Sequence, residues 1–393
     1  MSEIQSARRP ARRTALAATL AGALALGGLL GPAGPAAAQG EPIRIGVIVS
    51  LSGPVAAIGA PERDAIQILT EQINAQGGVK GRQIALTVFD DGTNPTEAAR
   101  GATQLIQQDK VVAIIGSTTG SATLALAPVA ARYQVPVLAM VASVPVISKS
   151  NAFYPWVFRS FTDDTVTTRA MLQRLAATGV KRVGVYYQED AYGKFTADFI
   201  TSAAPQLGLE VVEKVASALN ATDLTAQATK LRNANADAVV VQVSPPALAA
   251  GFSRAAKQVG LKAPLWGGIG FGQRAFVDAL GKDGDGMRAM LLGNFDDPTP
   301  ELKKLADMLR AKGKTPYGFT EVGATNALLH LTKALESDPA ASGEKLRSAL
   351  EKVCGLKTFA NGSACFSPDD HNGWSVDLLV PAEIRNGKYV TLK

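Results

Sequence analysis

Histidine and cysteine are close to absent, with two of each in 393 residues. His330 and His371 leave little material for the general base that a hydrolytic triad requires, and two cysteines with two distant histidines do not make a zinc site. Charge is also sparse, at 19% of residues. The net charge is +6, and Arg8, Arg9, Arg12 and Arg13 against Glu3 carry half of it near the start, so the remainder offers no basic face for nucleic acid. No Gly-x-x-x-x-Gly-Lys-Ser/Thr run occurs, so nothing here binds nucleotide in that way. Gly268-Ile269-Gly270 fails as a dinucleotide fingerprint because Gln273 stands where its last glycine belongs. Solenoid repeats, low-complexity tracts and a coiled-coil seam are missing too, and no cofactor is implied.

The first 38 residues have the three parts of an export signal: an arginine-rich start, an apolar run over residues 15–30, and Ala36-Ala37-Ala38 before Gln39. The run is rich in Gly and Ala, short of the ~20 residues a membrane span needs, and followed by Pro32 and Pro35. Cleavage near Ala38 is expected, leaving a mature chain that is periplasmic and not membrane-embedded. Arg12-Arg13 also admits a twin-arginine reading. An oxidising compartment suits Cys354 and Cys365, which flank a turn-rich segment able to bring them together as a disulfide. Two buried thiols are the alternative.

What the chain does have is short unbroken apolar runs alternating with helical segments. Residues 111–143 are the clearest case: a strand at 111–115, Gly116-Ser117-Thr118-Thr119-Gly120-Ser121, an apolar helix to about Tyr133, and a second strand ending in Met140-Val141-Ala142-Ser143. Such a unit is parallel βαβ, covered on both faces. Ligands of open α/β sheets sit beyond the carboxyl ends of the strands, and here the first end also opens a helix whose free N–H groups favour an anion.

The same alternation runs through the chain. Strands are expected at 43–49 and 84–89, with helices from about Pro61 and from a Thr96 cap. After Arg159 come strands at 183–187, 210–213, 238–243 and 264–268, then helices at 300–312 and 321–336 and a terminal strand pair at 375–380 and 388–392. Two doubly wound α/β lobes with a cleft between them follow from this order.

Several stretches carry a likeness to a known family: Leu51-Ser52-Gly53-Pro54, Ile73-Asn74-Ala75-Gln76-Gly77-Gly78-Val79-Lys80-Gly81, Asp90-Asp91, Ile115-Gly116-Ser117, Phe158-Arg159 and Tyr192-Gly193. In these, over nearly the whole mature chain, the sequence resembles the periplasmic solute-binding proteins of branched-chain amino acid transport. The resemblance implies a type I periplasmic binding protein-like fold with three crossings, near Arg159, Met290 and Cys365. One lobe would comprise 41–159 with 291–364, the other 160–290 with 365–393. It also implies a monomer that delivers its solute to an ABC permease. The family's carboxylate-binding loops fall on Thr119, Gly120 and Ser121 and on Val141, Ala142 and Ser143. Its ring from the second lobe falls on Tyr192.

Two positions depart from the family. Where an amino acid receptor places an acid to meet the ligand ammonium, this chain has Ile269, and where it places a stacking aromatic it has Ile58. A buried ammonium without a counter-charge costs several kcal/mol. These changes favour a small organic acid lacking an amine, aromatic or aliphatic, over a branched-chain or other amino acid, unless Asp163, Asp164 or Glu321 supplies the charge. Among the aromatics, Phe271 is the best placed for the cleft, ahead of Trp266 and Trp374. Two rivals remain: a sensory module of the same fold, and an esterase-like hydrolase with Thr118 in a nucleophile-elbow position and His371 as base.

Overall fold

The structure is a computed structural model that describes residues 40–392 apart from 161, 317, 360–362 and 375–378. The expected export signal and most of the expected strand at 375–380 lie outside the described residues. In chain order the first elements are β1 (Ile43–Val49), α1 (Ala56–Ala75), β2 (Ile84–Asp90), α2 (Pro95–Gln107), β3 (Ala113–Gly116), α3 (Gly120–Arg132), β4 (Val137–Ala139) and β5 (Val157–Arg159). Then follow α4 (Asp164–Ala177), β6 (Arg182–Gln188), α5 (Ala191–Ala203), β7 (Glu210–Ser217), α6 (Thr225–Asn233), β8 (Ala238–Gln242), α7 (Pro246–Gln258), β9 (Leu265–Gly267), α8 (Arg274–Leu280) and β10 (Arg288–Leu292). The last are α9 (Pro300–Ala311), α10 (Phe319–Leu335), α11 (Gly343–Leu350), β11 (Cys354–Lys357), β12 (Ser363–Cys365), β13 (Leu379–Arg385) and β14 (Lys388–Thr391).

Two sheets organise these elements. The first has the order β2-β1-β3-β4-β5, all parallel. The second runs β14-β13-β10-β9-β8-β6-β7, parallel except where β13 and β14 close its edge. Both faces of each are covered. Ile114 and Ile115 alternate across β3 and both are fully buried, Ile115 in a core shared with α1, α9, α10 and α11, Ile114 in one shared with α2 and α3. This is why the strands are continuous apolar runs. In the second sheet, α6, α7 and α8 cover one face, and α4 and α5 the other.

In both sheets the chain reverses direction of winding, between β1 and β3 and again between β6 and β8. Such a switch point opens a crevice at the carboxyl ends of the strands. The two crevices face each other.

Several expectations shift in detail. α1 begins at Ala56 with Pro61 inside it. Its first turn lies hard against the backbone of Ser50, where a Cβ on Gly59 would come within 2.1 Å of the Ser50 carbonyl. The cap of α2 is Asn94 rather than Thr96: Asn94 Oδ1 accepts from Thr96 N at 2.8 Å, with Pro95 in the first turn. The chain stays in the second sheet to Leu292, beyond the expected crossing near Met290. It stays with the first lobe past Cys365, because Phe366 packs on Phe158 at 5.4 Å and His371 stacks on the same ring at 4.0 Å. Trp374 still packs against the first lobe's core, and Leu379 opens β13 of the second sheet. Cys354 and Cys365 are joined in a disulfide across the β11–β12 hairpin. No helix among the described residues is long and apolar enough to cross a membrane.

Candidate functional site

The loop after β1 is pinned first. Asp90 Oδ1 accepts from the amides of Leu51, Ser52 and Gly92 at 2.8–3.2 Å. Asp91, fully buried, accepts from the hydroxyls of Ser50 (2.6 Å) and Ser117. The Asp90-Asp91 pair thus ties the end of β2 to the ends of β1 and β3 and gives the first crevice a rigid floor. Thr118 completes it: its hydroxyl accepts from Ser50 N at 3.0 Å and donates to Glu62 Oε2 at 2.6 Å. Burial holds the Glu62 carboxyl well above the usual range. With its hydroxyl committed to a carboxyl group, Thr118 is no activated nucleophile. His371 lies under Tyr154 and Phe158, away from Thr118, with Nδ1 against the Val157 carbonyl at 3.0 Å.

On this floor stands the start of α3. Thr119 caps it, its Oγ1 accepting from Ala122 N at 3.2 Å. The amides of Gly120 and Ser121 have no intrahelical acceptor and face outward from the first turn. Gly120 must be glycine here: a Cβ would sit 2.8 Å from Ser143 Cβ. That close approach brings the helix N-terminus, with its partial positive charge, against the loop of Val141, Ala142 and Ser143.

Opposite, Asp190 caps α5 by accepting from Gly193 N at 2.9 Å. Tyr192, which lines the cleft, donates its hydroxyl to Gln242 Oε1 at 2.6 Å. Burial raises that phenol well above its ordinary value. Ser244 N donates to Gln188 Oε1, which holds the loop after β8 beside the loop after β6.

Between these two walls is a cavity lined from both lobes. Thr119, Gly120, Val141, Ala142, Ser143, Tyr192, Ile58 and Ile269 all line it. Ser121 does not; its Oγ instead accepts from Ala191 N of the other lobe at 3.5 Å. Phe271 does not either. Its ring turns into the second lobe's core against Phe276, at 4.4 Å, in space left by Gly267, where a Cβ would meet the ring at 2.1 Å. Trp266 is likewise core, and Trp374 donates its indole N–H to the Arg159 carbonyl at 3.1 Å.

Motif matching passes over Met140, Asp190, Ser244, Gly270 and Phe319, all of which line the cavity, as does Thr118. Asp164, named only as one of three possible acids, is there as well. Burial raises its carboxyl from 3.8 to about 8, Arg159 opposing the shift. Asp164 Oδ2 and Ser143 Oγ are buried and have no hydrogen-bond partner among the described residues. Asp163 instead caps α4, accepting from Thr165 N at 2.7 Å. Glu321 accepts from Thr320 Oγ1 at 2.9 Å and is not among the lining residues.

The chain is 28% identical over 295 residues to the leucine-, isoleucine-, valine-, threonine- and alanine-binding protein of Pseudomonas aeruginosa, covering 74% of this chain and 76% of that one. It is 26% identical to Leu/Ile/Val-binding protein homolog 7 of Brucella abortus, over 94% and 95% of the two chains. Among solved structures, an extracellular ligand-binding receptor from Rhodopseudomonas palustris HaA2 superposes with a TM-score of 0.80 at 27% identity, over 89% of this chain and 99% of that one. A family model described as "Periplasmic binding protein" matches residues 42–381. The chain belongs to the periplasmic binding protein family, a solute receptor of the ABC-transporter type and not an enzyme.

Proposed function

We propose that the cleft captures a small α-amino acid with an apolar side chain and that the loaded receptor delivers it from the periplasm, as a monomer, to an ABC permease. One observation carries this reading: Ser143 Oγ from the first lobe and Asp164 Oδ2 from the start of the second are both buried and unpartnered in the same cavity. A ligand carboxylate would take the amides at the start of α3 and the Ser143 hydroxyl, since an anion is favoured at a helix N-terminus. Its ammonium would take Asp164, which answers the lack of an acid at Ile269. Ile58, Met140, Ile269 and Phe319 leave an apolar wall for the side chain. Four of the five amino acids named for the Pseudomonas relative, all but threonine, are of this class.

A second reading, an organic acid without an amine, has one observation in its favour. With its carboxyl raised to about 8, Asp164 carries a proton at neutral pH and is a hydrogen-bond donor that a carboxylate would accept. Titration calorimetry at pH 7 with L-leucine, 4-methylpentanoate and benzoate separates the two. The amino acid reading expects leucine to bind at least about tenfold more tightly than its deaminated counterpart, and Asp164→Asn to remove that preference. Binding of benzoate or 4-methylpentanoate alone would replace it with the second.

A further inference from the structure

The turn at 370–373 folds against the first crossing instead of solvent. Arg159 N donates to the His371 carbonyl at 2.9 Å, and the His371 ring stacks on Tyr154 at 4.6 Å and Phe158 at 4.0 Å. Within the turn, the Asn372 side chain makes two contacts. Its Oδ1 accepts from Arg159 Nη1 at 3.2 Å, and its Nδ2 donates to Asp163 Oδ2 at 3.1 Å. A guanidinium has only donors and a carboxylate only acceptors, so the amide fits one way round.

Each partner leads to one side of the cleft. Arg159 ends β5 of the first lobe with its guanidinium buried, and its Nη2 donates to the Ser143 carbonyl at 2.8 Å. Asp163 caps α4 of the second lobe through Oδ1, and the next residue is Asp164, whose amide donates to the Ala142 carbonyl at 3.0 Å. One side-chain amide therefore spans the residue behind the anion-binding loop and the residue that seats the cleft's unpartnered acid.

We infer that Asn372 is a positioning residue for ligand binding: by holding Arg159 and Asp163 at a set separation, it fixes the spacing between Ser143 and Asp164 and so the preference for ligands that carry both a carboxylate and an amine. This rests on the amino acid reading above. Asn372 is not among the residues lining the cavity, so it acts through its partners. A side chain that only supported the fold would weaken one-point and two-point ligands alike. A spacer between two binding groups weakens the two-point ligand more, because the second contact depends on registry with the first.

The test compares affinities of L-leucine and 4-methylpentanoate for the full mature chain and three variants. Asn372→Ala is expected to weaken leucine by about tenfold or more and 4-methylpentanoate by less than about threefold. Asn372→Asp sets a second carboxylate against Asp163 while pairing with Arg159, which already lies 3.9 Å from Asp163, and is expected to shift their spacing and weaken leucine by about tenfold or more. The double exchange of Asp163→Asn with Asn372→Asp restores one donor facing one acceptor at the same net charge and keeps a side chain able to cap α4. It should recover leucine binding to within about threefold of the original. Equal losses for both compounds in Asn372→Ala, or no recovery in the double exchange, overturns the inference. If the unaltered chain does not prefer leucine, the amino acid reading has failed instead, and the clasp is judged without ligand by distances between spin labels on α2 and α7. A distribution that broadens in Asn372→Asp and narrows again in the double exchange supports it, and one that stays unchanged overturns it.

Discussion

In the proposed reading two buried, unpartnered side chains, Ser143 and Asp164, set what the cleft holds. Removing the Ser143 hydroxyl with Ser143→Ala should weaken a carboxylate ligand by about 1–2 kcal/mol, read as a roughly tenfold rise in Kd. Asp164 carries a pH signature. Its carboxyl is raised from 3.8 to about 8 in the folded chain, so the folded state binds this proton more tightly than the unfolded state does. That contribution to stability is full below about pH 4 and is lost as pH rises through about 8. Asp164→Asn should therefore flatten the loss of stability of the ligand-free protein over this window, by about 1–3 kcal/mol at pH 8 and little at pH 4, in urea melts at the two pH values. Binding of an amine that ionises Asp164 should also release close to one proton at pH 7, visible as buffer-dependent binding enthalpies. The βαβ pattern in the sequence was enough to bring Thr119, Gly120 and Ser143 to the cavity, because strand ends and backbone turns dictate those positions, and the family resemblance brought Tyr192 there. It did not separate Asp164 from Asp163, since neighbouring residues at a helix start point in different directions, one capping and one facing the cleft. It also misplaced Phe271, whose ring direction depends on the space above Gly267.

At the scale of elements, the site is two helix starts, α3 and α5, aimed at each other from the carboxyl ends of β3 and β6. Gly120→Ala tests the first. The added methyl would press on Ser143, pushing the anion loop away from the helix start, and should lower ligand affinity by at least about tenfold while costing about 1–3 kcal/mol of stability. The β11–β12 hairpin is a contrast, since neither cysteine lines the cleft. Replacing both cysteines by serine should cost about 2–3 kcal/mol in denaturant unfolding and leave ligand affinity unchanged. Strand positions were legible because buried parallel strands must be apolar throughout. Helix starts were less so: Pro61 and Thr96 are plausible first-turn residues by composition, but close packing of Gly59 on Ser50 and the side chain of Asn94 decide where α1 and α2 begin.

For the molecule as a whole, the doubly wound order of both sheets followed from strand and helix alternation, whereas the points at which the chain passes between lobes did not. No linker composition marks them. What holds the chain in the first lobe past Cys365 is aromatic packing around Phe158 that no local pattern encodes. The Ser121 contact to Ala191 joins the two lobes across the cleft, and hinge closure is a known ligand response of such receptors. Ligand should therefore raise the melting temperature progressively with concentration. In the proposed reading the anion end of the cleft rests largely on main-chain amides, which no point mutation deletes, while its acid end rests on Asp164. Aspartate and asparagine codons differ by one base, so on the proposed reading a lineage carrying this receptor stands a single nucleotide away from losing its preference for an amine without rebuilding its scaffold.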